Sequence, residues 1–326
     1  LKMKSNQILL VKAKGGMGNR MLCAVTGIAY GLLSRRQVVI DWTDQAYSKH
    51  GENVFLSYFN TPLVEVSGNL PSDGGVFPKI WQGHLDWSVS RMVHAYDPDK
   101  HSSFRIHRKY SANLRRLDYP EDIIVLWSYT HRIQDLQSAL SKQFELGRDA
   151  RVDDILRHLL THYMVLRPEI KARIDAFRNE NFSGNVIGVH VRHSDRSANV
   201  DRYLDRVKRL CKNNDDVTIF VATDNQSVLS RFQAGFPKVI STDKWYPDSG
   251  VPMHQNSTCP NAFENGVEAL VDMYLLSYCH WLVYPKGSTF SYISSILSSA
   301  PKENIIDMDG YNFRVHIARI LRDILH

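Results

Sequence analysis

The sequence predicts an α/β protein of two domains, on three observations. Apolar strand-like runs alternate with helically spaced segments along most of the chain, which implies parallel sheets covered on both faces. The 326 residues exceed the size at which one hydrophobic core usually stops growing, so two domains are expected. Hydrophobic residues make up 43% and charged residues 23%, a globular balance that excludes disorder as the main state.

Taken in order, residues 7–13 (QILLVKA) read as a strand, 15–20 (GGMGNR) as a turn, 19–34 as a largely apolar helix and 37–42 as a second strand. The stretch 43–120 carries aromatic clusters with several Pro and Gly and yields no clear element order. Residues 122–129 read as another buried strand, and 151–165 have the spacing of an amphipathic helix. The domains are accordingly placed at 1–165 and 166–326, with the junction at LRP (166–168), where Pro168 suits the first turn of the next helix. From there the rhythm is cleaner: strand 185–191, helix 199–212, strand 217–223, helix 226–235, strand 238–241, helix 264–279, strand 281–285, helix 289–299 and strand 304–307. Val315, Ile317, Ile320, Leu321, Ile324 and Leu325 give a final helix an apolar face, expected to pack across the domain boundary.

Several function classes lack support. No apolar run approaches the ~20 residues needed to cross a bilayer. The net charge of +6 is mild over this length, and Lys and Arg are scattered where a nucleic-acid protein would gather them into a stripe. Cys23, Cys211, Cys259 and Cys279 lie far apart with no CxxC pair, so they read as buried free thiols and indicate neither a zinc ribbon nor a disulfide scaffold. There is no HExxH, EF-hand or GxSxG pattern, which leaves metal and acyl-serine chemistry unsupported. Three N-glycosylation patterns occur, at 181–183, 225–227 and 256–258. The second falls among candidate site residues, where a glycan would block function, and this favours the cytoplasm, with a secretory lumen as the alternative. A leader or anchor ahead of Leu1 is left open.

Ligands of parallel α/β sheets sit outside the carboxyl ends of the strands, and four such places are chemically rich. In KGGMGNR (14–20) glycines between a strand and a helix let backbone N–H groups approach an anion, although the string is neither GxGxxG nor a P-loop and also reads as a plain tight turn. In VIGVHVRHSDR (186–196) an apolar strand stops on His190, Arg192, His193, Asp195 and Arg196. Arg192 presents a planar fork that matches phosphate oxygens and keeps its charge, and His190 shares its face because strand side chains alternate. In IFVATDNQS (219–227) Thr223 and Asp224 suit hydrogen bonds to a sugar or base, and equally suit capping the next helix. In 264–292, Glu268 and Asp272 lie one turn apart on a helix, a kind of pair usually solvated, and Gly287, Ser288, Thr289 and Ser291 open a further helix.

Together these stretches resemble the fucosyltransferase superfamily that uses GDP-fucose, most closely the α-1,6 branch holding NodZ and the eukaryotic core fucosyltransferases. GVHVRH is similar to the family's His-x-Arg-Arg/His motif, ATDN to its ATD segment, and DMYLLSYCHWLVYPKGSTFS to its third motif. The resemblance covers the first ~50 residues and roughly 166–300, three motifs in order. It implies two facing Rossmann-like domains of the GT-B glycosyltransferase type, with the nucleotide mainly on the second, and no metal. It also implies that Arg192 holds the β-phosphate, His190 and Asp272 the guanine, and Ser291 with Ser288, Thr289 and Phe290 the phosphates. Gly16 and Gly18, with Asn19 beside them, would add backbone N–H groups from the first domain, and Tyr47 would lie on the ribose.

The implied activity is inverting transfer of L-fucose from GDP-fucose to an oligosaccharide hydroxyl, preferentially α-1,6 to GlcNAc. An α-1,2 transferase and a catalytically silent nucleotide-sugar binder are the alternatives. Leaving charge would be stabilised by Arg192 and Arg196. Where the eukaryotic enzymes carry a glutamate this chain has Val200, so Asp201 and Asp195 are the candidate bases. The connection 243–262, with Trp245, Tyr246 and Pro247, reads either as a cover for the acceptor or as a surface excursion.

Overall fold

The computed structural model describes residues 4–72, 74–100, 106–147, 149–193, 198–212, 214, 216–247 and 258–309. The chain forms two compact units that meet in sequence between Leu166 and Arg167. The proposed terminal helix lies outside the described residues, as do Asp195, Arg196 and residues 248–257 of the long connection.

In the first unit the order is β1 (Lys4–Lys12), α1 (Met17–Ser34), β2 (Arg36–Asp41), α2 (Phe55–Tyr58), β3 (Phe59–Asn60), β4 (Val66–Ser67), β5 (Val76–Phe77), α3 (Val89–Tyr96), α4 (Ile106–Tyr110), β6 (Ile123–Trp127), α5 (Gln137–Gln143), α6 (Val152–His162) and β7 (Val165–Leu166). The main sheet runs β4-β2-β1-β6-β5, with every neighbouring pair parallel. α1 is buried around almost its whole circumference, as its unbroken apolar sequence requires. It lies close on the sheet because Gly27 and Gly31 face Val11 and Val38, where a Cβ would collide with the valine side chains.

The unresolved reading of 43–120 has a physical cause. Its three strands are two residues each, too short to express a period; β4 and β5 add on at the edges of a sheet already specified by β1, β2 and β6, and β3 pairs antiparallel with β7 in a separate two-stranded sheet. Aromatic packing does the rest: Trp42 lies edge-on to Phe55 and Phe59, and Trp81 is enclosed with Tyr110 and Trp127 in the core beneath the other edge.

The second unit runs α7 (Pro168–Asn181), β8 (Asn185–Val191), α8 (Val200–Lys212), β9 (Val217–Thr223), α9 (Gln226–Gly235), β10 (Val239–Ile240), α10 (Ala262–Ser277), β11 (Trp281–Tyr284), α11 (Thr289–Leu297) and β12 (Ile305–Asp307). Its sheet is β10-β9-β8-β11-β12, all parallel. The order 3-2-1-4-5 is that of a Rossmann half, and the switch point falls between β8 and β11. Ile187, Val189 and Val191 of β8 are fully enclosed with Ile219, Val221, Val207 and Phe232, so this strand is fixed and its exit is a rigid place for side chains. Gly188 is required here, since Cys279 packs against the place where a Cβ would sit. The four cysteines are free; three are buried and Cys211 is half-buried.

Candidate active site

The second unit gathers the charged side chains at the carboxyl end of its sheet. His190 is buried at 7% exposure, its Nδ1 is hydrogen-bonded to the Ser291 hydroxyl at 2.8 Å, and its ring lies on Phe290 with centroids 4.9 Å apart. Burial holds its pKa down, to about 3, with Asp224 opposing and Arg192 and Lys244 adding to the effect. The imidazole is therefore neutral across the physiological range and serves as a hydrogen-bonding group without charge.

Arg192 follows two residues later and lines a cavity of about 370 Å³, within the range of small-ligand sites. Ala198, Asn199, Arg202 and Tyr203 form one wall, Pro285 and Ser288 a second, and Met308 and Asp309 the third. Ser288 is 1% exposed, and its hydroxyl has no partner among the described residues. Thr289 and Ser291 lie on the first turn of the same helix, α11. The switch point thus brings His190, Arg192, Ser288, Thr289, Phe290 and Ser291 to one place, from β8 on one side and from α11 on the other.

The ATDN segment supplies a brace. The cap of α9 is Asn225, whose side-chain oxygen accepts from Ser227 and Val228 N–H, so the capping role that Thr223 and Asp224 also suggested belongs to their neighbour. Its extended backbone (φ −140°) aims the amide at those N–H groups. Asp224 instead accepts the backbone N–H of His193 at 2.8 Å and ties β9 to the exit of β8. Thr223 is buried and accepts from Asn225 N–H.

Asp272 and Glu268 depart from the expectation of a solvated pair. Asp272 is 4% exposed; it accepts from the Thr242 hydroxyl at 2.6 Å and from the Lys244 ammonium. Lys244 is itself buried; burial alone would lower its pKa, but Asp272 and its neighbours outweigh that and raise it, so the ammonium keeps its charge. Glu268 is half-buried and shifted upward by desolvation, and its Oε2 and the Tyr246 hydroxyl have no partners among the described residues. Thr242 and Lys244 therefore hold the start of the long connection on α10.

Asp201 lies elsewhere. Its side chain is 74% exposed and pairs with Arg231 of α9 at 2.5 Å, and it does not line the Arg192 cavity. Val200, beside it, is buried in the core.

In the first unit, Gly15 adopts φ +85°, a conformation that favours glycine, and Asn19 covers it so closely that a Cβ there would meet the Asn19 amide at 2.6 Å. Gly16 is the N-cap of α1, which has no side-chain cap, and Gly18 is buried in its first turn. Sequence reasoning passed over Arg20. It is 1% exposed, donates to Gly15 O at 2.7 Å and to Asp44 at 2.6 Å, and lies between the rings of Trp42 and Tyr47. A lone charge in an otherwise apolar helix was the available signal. Tyr47 is 3% exposed, packed on Tyr58 and under this guanidinium.

Among the described residues no group of three His, Cys, Asp or Glu is arranged to hold a metal ion, and no helix is long and apolar enough to cross a membrane.

Comparison with known proteins adds what geometry alone does not. The family model for nodulation protein Z (NodZ) matches residues 149–320. Nodulation protein Z of Bradyrhizobium diazoefficiens is 32% identical over 316 residues, covering 88% of this chain and 78% of that one.

The chain belongs to the nodulation protein Z family.

A second member, from Sinorhizobium fredii, is 24% identical and covers 96% of this chain and 97% of its own. The crystal structure of NodZ α-1,6-fucosyltransferase soaked with GDP-fucose superposes with a TM-score of 0.62 at 24% identity, covering 90% of this chain and 93% of that chain. That likeness shows the fold, two Rossmann-like units of the GT-B type.

Proposed function

We propose that this fucosyltransferase takes GDP-fucose as donor, holds its diphosphate at Arg192, and passes fucose with inversion to a hydroxyl of an oligosaccharide, forming an α-1,6 link to GlcNAc. The observation that carries this reading is the Arg192 cavity at the switch point of the second sheet, where α/β folds place their ligands. Membership of the NodZ family and the GDP-fucose soak of a NodZ enzyme support the choice of donor.

The chemistry follows from charge. Breaking the bond between fucose and the diphosphate leaves negative charge on the β-phosphate and oxocarbenium character on the sugar. A guanidinium fixed at a strand exit is preorganised to stabilise that leaving charge, the part a divalent cation takes in other nucleotide-sugar enzymes. The uncapped N-terminus of α11 adds N–H groups of the same polarity beside it. His190, neutral, takes the guanine, whereas Asp272, whose oxygens accept from Thr242 and Lys244, holds those two residues on α10.

Arg192→Ala is expected to abolish transfer from GDP-fucose while leaving the unfolding midpoint unchanged, because a half-buried strand-end side chain contributes little to stability. Undiminished turnover would refute the assignment. Methylation analysis of the product made from chitooligosaccharides or an N-glycan core separates the α-1,6 from the α-1,2 linkage.

A further inference from the structure

A sugar hydroxyl attacks an anomeric carbon efficiently only if something takes its proton, and a carboxylate within reach of the reacting oxygen is the usual recipient. Of the two carboxylates nearest Arg192 in sequence, Asp195 lies outside the described residues, and Asp201 is turned to Arg231 on the exposed face of α8 and α9.

Among the described residues, the carboxylate that lines the Arg192 cavity is Asp309, just past the end of β12. It is held in place by the chain on both sides. Its Oδ2 accepts the Gly287 N–H at 2.5 Å, which fixes it to the turn carrying Ser288, and its own N–H donates to Asp307 at 3.0 Å. The groups facing it are Arg192 from the β8 exit, Arg202 and Tyr203 from α8, and Asp307 from β12. Tyr203 is pushed to a high pKa by burial and by the charges of Asp309 and Asp307, so it stays a neutral wall.

We propose that Asp309 is the general base of the transfer, an assignment that rests on the donor reading above. Its carboxylate takes the proton of the acceptor hydroxyl as the new bond from that oxygen to C1 of fucose forms. The bond from C1 to the β-phosphate oxygen breaks, its electron pair leaves with GDP, and Arg192 meets the charge. Atoms balance as acceptor plus GDP-fucose giving fucosylated acceptor, GDP and one proton.

The test is Asp309→Asn in the full chain, since the amide oxygen still accepts from Gly287. GDP affinity is measured by calorimetry, and kcat with GDP-fucose and whichever of chitopentaose or the N-glycan core the wild type turns over faster. The expected result is a kcat at least about a hundred-fold down with GDP affinity within about twofold of wild type. A kcat within about threefold of wild type overturns the proposal. So does a parallel fall in GDP affinity and kcat, which makes Asp309 a brace for the 286–288 turn, and so does loss of transfer in Asp201→Asn with Asp309→Asn active. A wild-type chain that binds no GDP sinks the donor reading first and this proposal with it.

Discussion

Lys244 illustrates how much a single buried charge commits the protein to. Its ammonium and the Asp272 carboxylate are both nearly inaccessible, so each is tolerated only because the other is present. Removing one partner of a buried pair costs about 3–5 kcal/mol, mostly from the charge left behind. Lys244→Met is therefore expected to lower the urea unfolding free energy by about that amount, and adding Asp272→Leu is expected to recover much of the loss. His190 makes the opposite kind of commitment. With its folded pKa near 3 and an unfolded value of about 6.5, the two states bind protons equally above pH ~6.5. Below that the unfolded chain takes a proton that the folded chain refuses, so stability falls with pH until about 3. Stability measured between pH 7 and 4 should decline more steeply in the wild type than in His190→Asn; equal slopes would assign the acid sensitivity to other groups.

At the scale of elements, the glycines of α1 set the spacing of a layer. A methyl at Gly27 has nowhere to go but into Val11, and Gly27→Ala is expected to cost about 1–3 kcal/mol by overpacking, read as a lower midpoint in denaturant with an unchanged slope. The elements also show what a sequence discloses. Strands β8, β9 and β11 were legible because both faces of a parallel sheet are covered, so each strand is a continuous apolar run. The helices between them were legible from their periodicity. β3, β4 and β5 were not, because two residues carry no pattern; β4 and β5 take their positions from strands already paired, and β3 from an equally short partner, β7. The same division holds in the candidate site. His190, Arg192 and Ser291 announce themselves as polar residues at the exits of apolar segments. Lys244 and Asp309 do not, since the first matters through a helix 28 residues away in sequence and the second through a strand exit more than 100 residues upstream of it; only the closed sheet brings them to their partners.

At the scale of the whole molecule, the two units use one plan with one variation. Both sheets begin with the 3-2-1 order, but the first places β6, the later strand, inside and β5 at the edge, whereas the second keeps chain order outward through β11 and β12. The second unit also has very unequal seams. β8 and β9 are joined along seven residue pairs, whereas β10 is joined to β9 by two. Backbone amides at 239–240 are accordingly expected to exchange with deuterium long before those of β8, and a uniform rate across the sheet would contradict this. Since so short a ladder secures little, the margin of this sheet is fastened chiefly from beyond its end, where Lys244 grips α10. Loss of that grip, as in Lys244→Met, is accordingly expected to free the β10 margin first while the other four strands stay paired.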